Sequence, residues 1–545
     1  MFKIFRYLKG FKKEVIIGPA FKLTEAVFEL IIPLVMARII DVGAKNGDIG
    51  YVLKMGGIMI LLGAVGLGCS LICQYNAAKA SQGFGTVVRN ELFAHINRLT
   101  HNELDKIGTP SLITRMTNDI NQLQLAVAML IRLVIRAPFL VIGSAVVALF
   151  IDIRLGSIFL IATPFIVAIL YFVMSKSVPL YKKVQKQLDK LSLITRENLV
   201  GTRVIRAFSK QNTETERFDD ATNELKLAAV RVGKLSALLN PLTYVIMNLA
   251  IIAIVWFGGY RVFDGALEQG QIIALVQYMT QILLALVVVA NLVVIFTKAS
   301  ASARRVNDIF DTKPSVTDTL TTKVTPKENS PAIVFEEVSF SYGSTGENAL
   351  ENLSVTIHKG ETVGIIGGTG SGKSTVVNLI ARFYDTTSGT IYINGIPIKK
   401  YPFSQLRCLI GVVPQSATLF SGTLRENLKW GNQNATDTEI SKAIEIAQAS
   451  EFVNRLEGGY EFQIAQSGKN LSGGQKQRLT IARALILNPE ILILDDSASA
   501  LDFATDAALR KAIAKNTQEM TVILVSQRAT TIKHADKIIV LGEGQ

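Results

Sequence analysis

A glycine-rich segment in the second half of this 545-residue chain has the spacing of a phosphate-binding loop. It lies between TVGII at 362–366, an apolar run typical of a strand, and VVNLIARF, an apolar run typical of a helix. Glycines let backbone N–H groups converge on phosphate oxygens, and a helix N-terminus favours negative charge. Lys373 can then reach the β- and γ-phosphates, and the Ser374 hydroxyl can ligate Mg²⁺. The complete strand–loop–helix context argues against a chance glycine-rich turn. The loop comprises Gly367, Gly368, Thr369, Gly370, Ser371, Gly372, Lys373, Ser374 and Thr375.

Two carboxylates end a second apolar run, EILILDD at 490–496. The run predicts a buried parallel strand, and ligands bind at the carboxyl ends of such strands. Asp495 is therefore placed to hold Mg²⁺ beside the phosphate loop. Between the two motifs, Ser472 stands where it would cap a predicted helix, KQRLTIARAL. The N–H groups at that helix start form a second potential anion site, although a Ser-Gly-Gly-Gln turn alone would be weak evidence of one.

Six long apolar stretches precede these motifs in the same chain. Each reaches about the 20 residues with which a helix spans a ~30 Å hydrocarbon core. A buried helix of a soluble protein could imitate any one of them, but six in series predict a membrane domain. They cover residues 15–40, 52–77, 133–151, 155–174, 238–259 and 271–297.

The charge of the chain is divided unequally between its two halves. Residues 1–330 have 37 basic and 23 acidic side chains, whereas residues 331–545 have 20 and 21. The basic excess is concentrated in 79–132 and 175–237, beside the apolar stretches, while the other loops contain few Lys and Arg. The positive-inside rule therefore predicts that these segments and both termini are cytoplasmic. Nucleic-acid binding is the competing interpretation of the net charge of +13, and the position of the charges beside predicted spans makes it unnecessary.

Composition narrows the class of protein further. With 49% hydrophobic and only 19% charged residues, the chain is not expected to be disordered, collagen-like or a simple soluble protein. Its three cysteines cannot form a disulfide framework. Cys69 and Cys73, four residues apart, are interpreted as core residues rather than a metal pair.

The long basic segments predict helices that continue beyond the bilayer. About 25 extra residues carry a helix roughly 35–40 Å, with breaks around 106–110 and 200–202 where the chain can turn back. The start, MFKIFRYLKGFKK, predicts a helix at the membrane interface; a signal peptide is the alternative, but the apolar run that follows is too long for one. The Thr-rich stretch 312–330 predicts a linker between a domain at 1–311 and a domain at 331–545.

The motifs and their order resemble the ATP-binding cassette family, and the six predicted spans extend the likeness to an exporter-type half-transporter. The resemblance implies a six-helix transmembrane domain with long cytoplasmic helical extensions, fused to an α/β phosphate-loop nucleotide-binding domain that binds ATP and Mg²⁺. It implies that the signature Leu471, Ser472, Gly473, Gly474 and Gln475 docks on ATP held by a second subunit. It also implies that the segments near 107–115 and 199–207, at these breaks, are coupling helices.

Three further residues match family positions by resemblance alone. Tyr342 fits the aromatic residue that stacks on adenine, with a packed strand residue as the alternative. Gln415 fits the loop glutamine near Mg²⁺, with an ordinary surface amide as the alternative. Asp502, in Ser-Ala-Leu-Asp, fits the loop by which two nucleotide sites sense each other. The expected metal ligands are thus Ser374, Gln415 and Asp495.

Two positions depart from the family pattern. Asp496 stands where the family usually has the Glu that polarises the attacking water, and Gln527 stands where it usually has the switch His. Asp is one methylene shorter than Glu, and Gln cannot carry positive charge. ATP at this phosphate loop is therefore expected to bind but to be hydrolysed slowly or not at all. Because the signature is intact, the chain looks like the degenerate half of heterodimeric bacterial multidrug exporters, with a partner that supplies the consensus Glu and His.

The resulting expectation is ATP-driven export of hydrophobic or amphipathic compounds across a bacterial plasma membrane, with the main catalysis at the site centred on the partner. A lipid or peptide exporter and an ATP-gated regulator or channel are the alternatives. Glu25 and Glu29 share a helix face in the first span and could line a cavity for amphipathic cations; ion pairs with Lys22, Arg132 or Arg136 are the alternative. The family normally continues for another helix, so the C-terminal end is expected to be truncated or unresolved.

Overall fold

The computed structural model describes residues 2–318, 322–342, 348–497, 499–516, 519–542 and 544–545. The described chain divides into two compact units. The first comprises Met1–His95 and Pro110–Asp311, and the second comprises Ile96–Thr109 and Thr312–Gln545. The short segment 96–109 therefore belongs to the same unit as the phosphate loop.

Helices make up the first unit and the segment 96–109 that belongs to the second. In chain order through residue 311, the helices are α1 (Phe2–Phe5), a 3₁₀-helix (Arg6–Phe11), α2 (Lys12–Arg38), α3 (Ile49–Ile96), α4 (His101–Ile107), α5 (Thr109–Thr114), α6 (Ile120–Arg132), α7 (Arg136–Ile151), α8 (Ile153–Val200), α9 (Thr202–Ala207), α10 (Gln211–Ala237), α11 (Leu239–Phe263) and α12 (Gln269–Asp311). Two π-helical turns, Ile39–Ala44 and Arg115–Asp119, follow α2 and α5.

Five helical segments of the described chain are long and apolar enough to cross a membrane, and five of the predicted spans lie in them. They are Ile49–Ile96, Thr109–Ile151, Ile153–Val200, Gln211–Phe263 and Gln269–Asp311. The remaining predicted span lies in α2, which is 27 residues long but less apolar because it contains Lys22, Glu25 and Glu29. Its buried residues join those of α7, α8, α11 and α12 in one hydrophobic core.

The second unit contains the strands. They are β1 (Ile333–Phe340), β2 (Leu350–Ile357), β3 (Thr362–Gly367), β4 (Ser388–Ile393), β5 (Ile396–Pro397), β6 (Ile410–Val413), β7 (Gly422–Thr423), β8 (Gln463–Ile464), β9 (Ile491–Asp495), β10 (Thr521–Val525) and β11 (Lys537–Leu541). Its later helices are α13 (Lys373–Ile380), α14 (Phe403–Leu409), α15 (Leu424–Lys429), α16 (Asp437–Ile446), α17 (Ser450–Val453), α18 (Gly473–Ile486), α19 (Phe503–Asn516) and α20 (Ala529–Ile532).

A parallel sheet in the order β11-β3-β10-β9-β6 forms the centre of the second unit. Strands β9 and β10 are buried at every position, which is typical of parallel strands covered on both faces. An antiparallel sheet, β2-β1-β4-β5, packs its apolar residues into the same core as β3 and α13. The carboxyl ends of β3 and β9, two strands apart, consequently open on one edge of the parallel sheet, where a ligand is expected.

Candidate functional site

The phosphate loop joins β3 to α13 as the sequence predicts. Gly370 and Gly372 have φ angles of 86° and 93°, in the left-handed region that a residue with a Cβ rarely adopts. A Cβ at Gly372 would also lie 2.6 Å from the carbonyl oxygen of Ala349. The buried Lys373 ammonium donates to the carbonyl oxygens of Gly367 at 2.9 Å and Gly368 at 2.5 Å. The loop therefore holds a cation at the start of a helix, which suits a bound phosphate.

Asp495 and Ser374 form the candidate metal site. The Ser374 Oγ donates to Asp495 Oδ1 at 3.4 Å, which brings the end of β9 to the start of α13. Burial raises the pKa of Asp495, and the charge of Asp496 adds to the rise. Oxygen ligands of this kind suit Mg²⁺, which usually takes one or two carboxylates and completes its shell with phosphate oxygens and water. Within the described ranges there is no cluster of three or more His, Cys, Asp or Glu side chains that could hold a metal ion.

Asp496 and Gln415 meet beside this pair. The Gln415 Nε2 donates to Asp496 Oδ2 at 3.3 Å. Asp496 has a φ angle of 44°, and its N–H donates to the Val525 carbonyl oxygen at 2.9 Å. Gln527 follows β10 and is exposed. Gln415 is thus in contact with Asp496. Among these described residues, Gln527 makes no hydrogen bond to either of the other two.

Tyr342 lies beside the end of the phosphate loop. Its hydroxyl is 3.0 Å from Thr375 Oγ1, and its ring is 45% exposed. Its ring meets those of Phe340 and Tyr384 edge-on, with centroids 4.8 and 5.3 Å away. The accessible ring beside the phosphate loop is consistent with the predicted stacking on adenine.

The signature segment begins α18 and is exposed at its tip. Ser472 caps the helix, accepting from the Gln475 N–H at 3.3 Å, and Gln475 Oε1 accepts from the Ser472 N–H at 2.8 Å. A Cβ at Gly474 would lie 3.1 Å from the Ala500 carbonyl oxygen, so the signature adjoins the loop before Asp502. Asp502 accepts from the N–H and hydroxyl of Thr505 at 2.9 and 2.7 Å. Each of the two predicted inter-subunit loops is thus held by hydrogen bonds of its own, and the two loops approach each other at Gly474 and Ala500. Ser472 and Gly473 face solvent.

The two candidate cavity residues are each in an ion pair. Lys22 Nζ lies 2.7 Å from a Glu25 carboxylate oxygen, and Arg136 Nη2 lies 2.5 Å from Glu29 Oε1. These are ion pairs of the kind that the sequence left open as the alternative. A role of Glu25 and Glu29 in substrate binding stays a prediction.

Sequence reasoning missed the contact of α4 with the nucleotide-binding unit. Tyr384 Oη donates to Asp105 Oδ2 at 2.7 Å. The His101 ring stacks on Phe383, with centroids 4.5 Å apart and an interplanar angle of 28°. The proximity of 101–107 to a predicted break was visible in the sequence, but no spacing pointed to Tyr384.

Both halves of the chain match families of known proteins. Residues 15–287 match the family described as ABC transporter transmembrane region, and residues 350–499 match the family described as ABC transporter. The "Uncharacterized ABC transporter ATP-binding protein YfiB" of Bacillus subtilis is 38% identical, with 100% of this chain and 94% of that protein covered. The corresponding protein Rv1273c of Mycobacterium tuberculosis is 32% identical, with 99% and 93% covered.

Two other matches bear on function and fold. The "Probable multidrug resistance ABC transporter ATP-binding/permease protein YheI" of Bacillus subtilis is 31% identical, with 95% of this chain and 88% of that protein covered. A solved structure described as a bacterial Atm1-family ABC exporter with ATP bound matches with a TM-score of 0.81 at 24% identity, covering 98% of this chain and 94% of that one. The predicted fold class, a helical transmembrane domain fused to an α/β nucleotide-binding domain, is confirmed.

Proposed function

The chain belongs to the ATP-binding cassette transporter family, and from this premise we propose that it is one half of an ATP-driven exporter of hydrophobic or amphipathic compounds. The observation that carries the proposal is the hydrogen bond between Ser374 of the phosphate loop and Asp495. The same chain contains helices long and apolar enough to cross a membrane. The similarity to a probable multidrug resistance transporter supports the substrate class. ATP and Mg²⁺ are the proposed cofactors.

Each site residue of this chain has a separate proposed role in binding ATP and Mg²⁺. Lys373 and the loop N–H groups bind phosphates, Ser374, Gln415 and Asp495 hold Mg²⁺, and Tyr342 offers its ring to the base. Bound Mg²⁺ and ATP supply the phosphoryl-transfer chemistry. Asp496 is one methylene shorter than the Glu of the family pattern and accepts a hydrogen bond from Gln415, so it is poorly placed to orient an attacking water. Gln527 cannot supply a positive charge. This chain's own site is therefore proposed to bind ATP and hydrolyse it slowly.

A second, homologous subunit is proposed to complete the catalytic machinery. The exposed Ser472 and Gly473 would serve ATP held by that subunit. The tip of the α8–α10 hairpin is a second surface that suits a partner, because its apolar side chains are largely exposed. They are Leu199, Val200, Val204 and Phe208, with exposed fractions of 74%, 84%, 60% and 72%. A partner with consensus Glu and His and a degraded signature would give one competent site per heterodimer.

The location follows from the charge distribution. We propose a plasma-membrane protein with both termini and the nucleotide-binding domain in the cytoplasm, because the basic segments 79–132 and 175–237 flank the spans on one side. A lipid or peptide exporter and an ATP-gated channel remain the competing functions. Substrate-stimulated ATP turnover by the purified pair distinguishes a pump from a channel.

The test replaces the two residues that depart from the family pattern by the residues that the family usually has. We expect the chain purified alone in lipid to bind ATP but turn it over slowly, and the double variant Asp496→Glu, Gln527→His to hydrolyse it up to ~10²-fold faster, the size of a ~1 Å misplacement. The measurement is phosphate release at saturating ATP and Mg²⁺. The matched control adds Lys373→Ala, which should abolish the gain. Brisk hydrolysis by the unsubstituted chain alone would refute both the degenerate site and the heterodimer.

A further inference from the structure

Five charged side chains form a cluster in α2, α6 and α7, in or directly beside the first and third predicted spans. We propose that this cluster binds an amphipathic anion, with the anionic head at Arg132 and the apolar tail along the exposed face of α7. The proposal rests on the proposed function and deepens it, because it gives the sign of the charge that the exported compounds carry. The charged cluster comprises Lys22, Glu25, Glu29, Arg132 and Arg136.

Both acidic side chains of the charged cluster are already neutralised by cations of the same domain. The Lys22 ammonium donates to the two carboxylate oxygens of Glu25 at 2.7 Å, and the two side chains are only 11% and 14% exposed. The Arg136 guanidinium donates to the two carboxylate oxygens of Glu29 at 2.5 and 2.8 Å. Neither carboxylate therefore has an uncompensated charge to offer a cationic ligand.

The backbone of Glu29 is also held in place, which makes this residue part of the packing of α2. Pro33, in the interior of α2, has no N–H for the carbonyl oxygen of Glu29 four residues earlier. The Gln281 side chain of α12 donates to that oxygen at 3.1 Å, and the Tyr278 hydroxyl donates to the neighbouring carbonyl oxygen of Leu30. Glu29 is thus fixed through both its carboxylate and its carbonyl, as expected of a residue with a structural role.

Arg132 is the remaining charge of the cluster, at the end of α6 and directly before the predicted span 133–151. The charges of Arg132, Lys22 and Glu25 all lie near enough to act on the Cys73 side chain, so Arg132 belongs to the same neighbourhood as the first ion pair. Within the described residues, Arg132 makes neither a hydrogen bond nor an ion pair. The cluster has three positive and two negative side chains. One guanidinium, which stays protonated at any physiological pH, is consequently without a counter-charge.

A guanidinium at the edge of the hydrocarbon region suits a carboxylate or phosphate head group. An uncompensated charge beside the membrane core is costly, and its N–H donors match the paired oxygens of such a group in a two-bond geometry. The head group would lie at the cytoplasmic interface, because Arg132 precedes the predicted span on that side.

An apolar face of α7 continues from this position into the predicted span. Ile135, Ile142 and Val146 recur at helical spacing and are 48%, 64% and 42% exposed. From residue 135 to residue 146 this face is about 16 Å long at 1.5 Å per residue. A compound with an anionic head and an apolar tail would cover the guanidinium and this face together. The combination favours an amphipathic anion over a small soluble one.

The experiment uses the full-length chain in nanodiscs of phosphatidylcholine, without nucleotide. Two single-chain probes carry a photoreactive diazirine at the tail end and differ in the head group, which is a carboxylate in one and a trimethylammonium in the other. The readout is the amount of each probe that light crosslinks to peptides covering 135–146, measured by mass spectrometry. We expect about 10-fold more crosslinking of the carboxylate probe, the size expected of one charge-assisted hydrogen bond.

Substitutions in the charged cluster test the cause of this preference. Arg132→Gln should bring the two probes to nearly equal crosslinking, whereas Arg132→Lys, which keeps the charge but not the two-bond geometry, should retain part of the preference. Glu29→Gln releases the Arg136 guanidinium and should increase crosslinking of the carboxylate probe. A cavity for amphipathic cations predicts a different result for Glu29→Gln, a loss of crosslinking of the trimethylammonium probe.

Arg38→Gln is the matched control, because it removes the same charge from the other end of α2. Arg38 is exposed and lies in the last turn of that helix, away from the charged cluster. Its replacement should leave the preference for the carboxylate probe unchanged. The thermal midpoint of each variant is measured in the same nanodiscs, so that loss of the fold is not mistaken for loss of the site.

Equal crosslinking of the two probes to the unsubstituted chain would overturn the anion site, as would an unchanged preference in a folded Arg132→Gln variant. Nanodiscs that contain phosphatidylglycerol identify the source of the anion. Loss of carboxylate crosslinking there would mean that a membrane phospholipid fills the site, and would overturn its assignment to an exported compound.

The absence of nucleotide keeps this result separate from the test of the proposed function. If the chain binds ATP and shows no preference between the probes, the anion site alone falls. If the chain binds no ATP, the proposed exporter falls, while the crosslinking still reports whether the charged cluster selects anions.

Discussion

Asp495, a proposed ligand of Mg²⁺, is the residue whose burial has the clearest consequence for stability. A buried charge is usually compensated by ion pairs and several hydrogen bonds. Asp495 is 9% exposed, and its carboxylate accepts a hydrogen bond from the Ser374 hydroxyl at 3.4 Å. Burial, followed by the neighbouring Asp496, raises its pKa. A group perturbed by desolvation beside a phosphate loop is typical of a functional site, where Mg²⁺ would relieve the penalty.

We therefore predict that Asp495→Asn stabilises the nucleotide-free chain and abolishes its stabilisation by Mg²⁺ and ATP. For a carboxyl group whose folded pKa is raised, stability is fully present below the ordinary value of ~3.9 and is lost as pH rises through the folded pKa. The gain should thus be largest at neutral pH and vanish below about pH 4. The measurement is the thermal unfolding midpoint, which moves about 2–4 °C per kcal/mol in a domain of this size.

Asp502→Asn is the matched control for loss of one negative charge. Asp502 is exposed, and the Thr505 N–H lowers its pKa, so ionisation there favours the fold. Its replacement should give no gain in midpoint. An equal gain in both variants would mean that net charge, rather than burial of Asp495, is responsible.

At the scale of elements, Asp152 joins two membrane helices. It caps α8 by accepting from the Arg154 and Leu155 N–H groups at 2.8 and 3.0 Å, and it pairs with Arg261 of α11 at 2.9 Å. Burial opposes its ionisation, but the Leu155 N–H, the Arg261 guanidinium and the Arg154 N–H outweigh burial and lower its pKa. One carboxylate thus sets the α7–α8 turn and its distance from α11.

Asp152→Ala should lower the thermal midpoint of the lipid-embedded chain by more than Asp152→Asn does. Alanine removes both the cap, worth about 1 kcal/mol, and the ion pair, whereas asparagine keeps a capping oxygen. Because the folded pKa is lowered, the stability from ionised Asp152 is present above the ordinary pKa and lost as pH falls through the folded pKa. The Asn variant should accordingly show less acid sensitivity than the parent. Equal midpoints for the Ala variant and the parent would contradict the structural role.

At the scale of the whole molecule, the charge asymmetry is the basis of the proposed orientation in the membrane. The excess of basic residues belongs to 1–330, whereas the nucleotide-binding half is close to neutral. By the positive-inside rule, this distribution favours a cytoplasmic position for the basic segments beside the spans. Cysteine positions offer a direct test, since Cys408 is exposed in the second unit and Cys69 and Cys73 are buried in the first.

A membrane-impermeant maleimide should leave the chain unlabelled in intact bacterial cells and label Cys408 once the membrane is broken. Asp264→Cys, in the exposed loop after α11, should be labelled in intact cells and so controls for reagent access. Gel shift or mass spectrometry of the purified chain gives the result. Labelling of Cys408 in intact cells would reverse the predicted topology.

Features that depend on contiguous residues could be predicted from the amino-acid sequence alone. The strand–loop–helix around Lys373, the strand ending at Asp495 and the cap at Ser472 were predicted, and the structure has them as β3–α13, β9 and the start of α18. The family and the two-part fold followed from these motifs and the apolar periodicity, and both are confirmed. Such features are readable because hydrophobic period and turn chemistry act over a few residues.

Contacts between residues far apart in the chain became known from the folded structure. Tyr384 bonds Asp105 across 279 positions, the Gly270 N–H donates to Asp41 across 229, and Arg136 reaches Glu29 across 107. The folded structure also placed 96–109 with the nucleotide-binding unit. These pairings depend on how whole helices pack against one another. A single sequence records the apolar face of each helix but not the partner that will cover it.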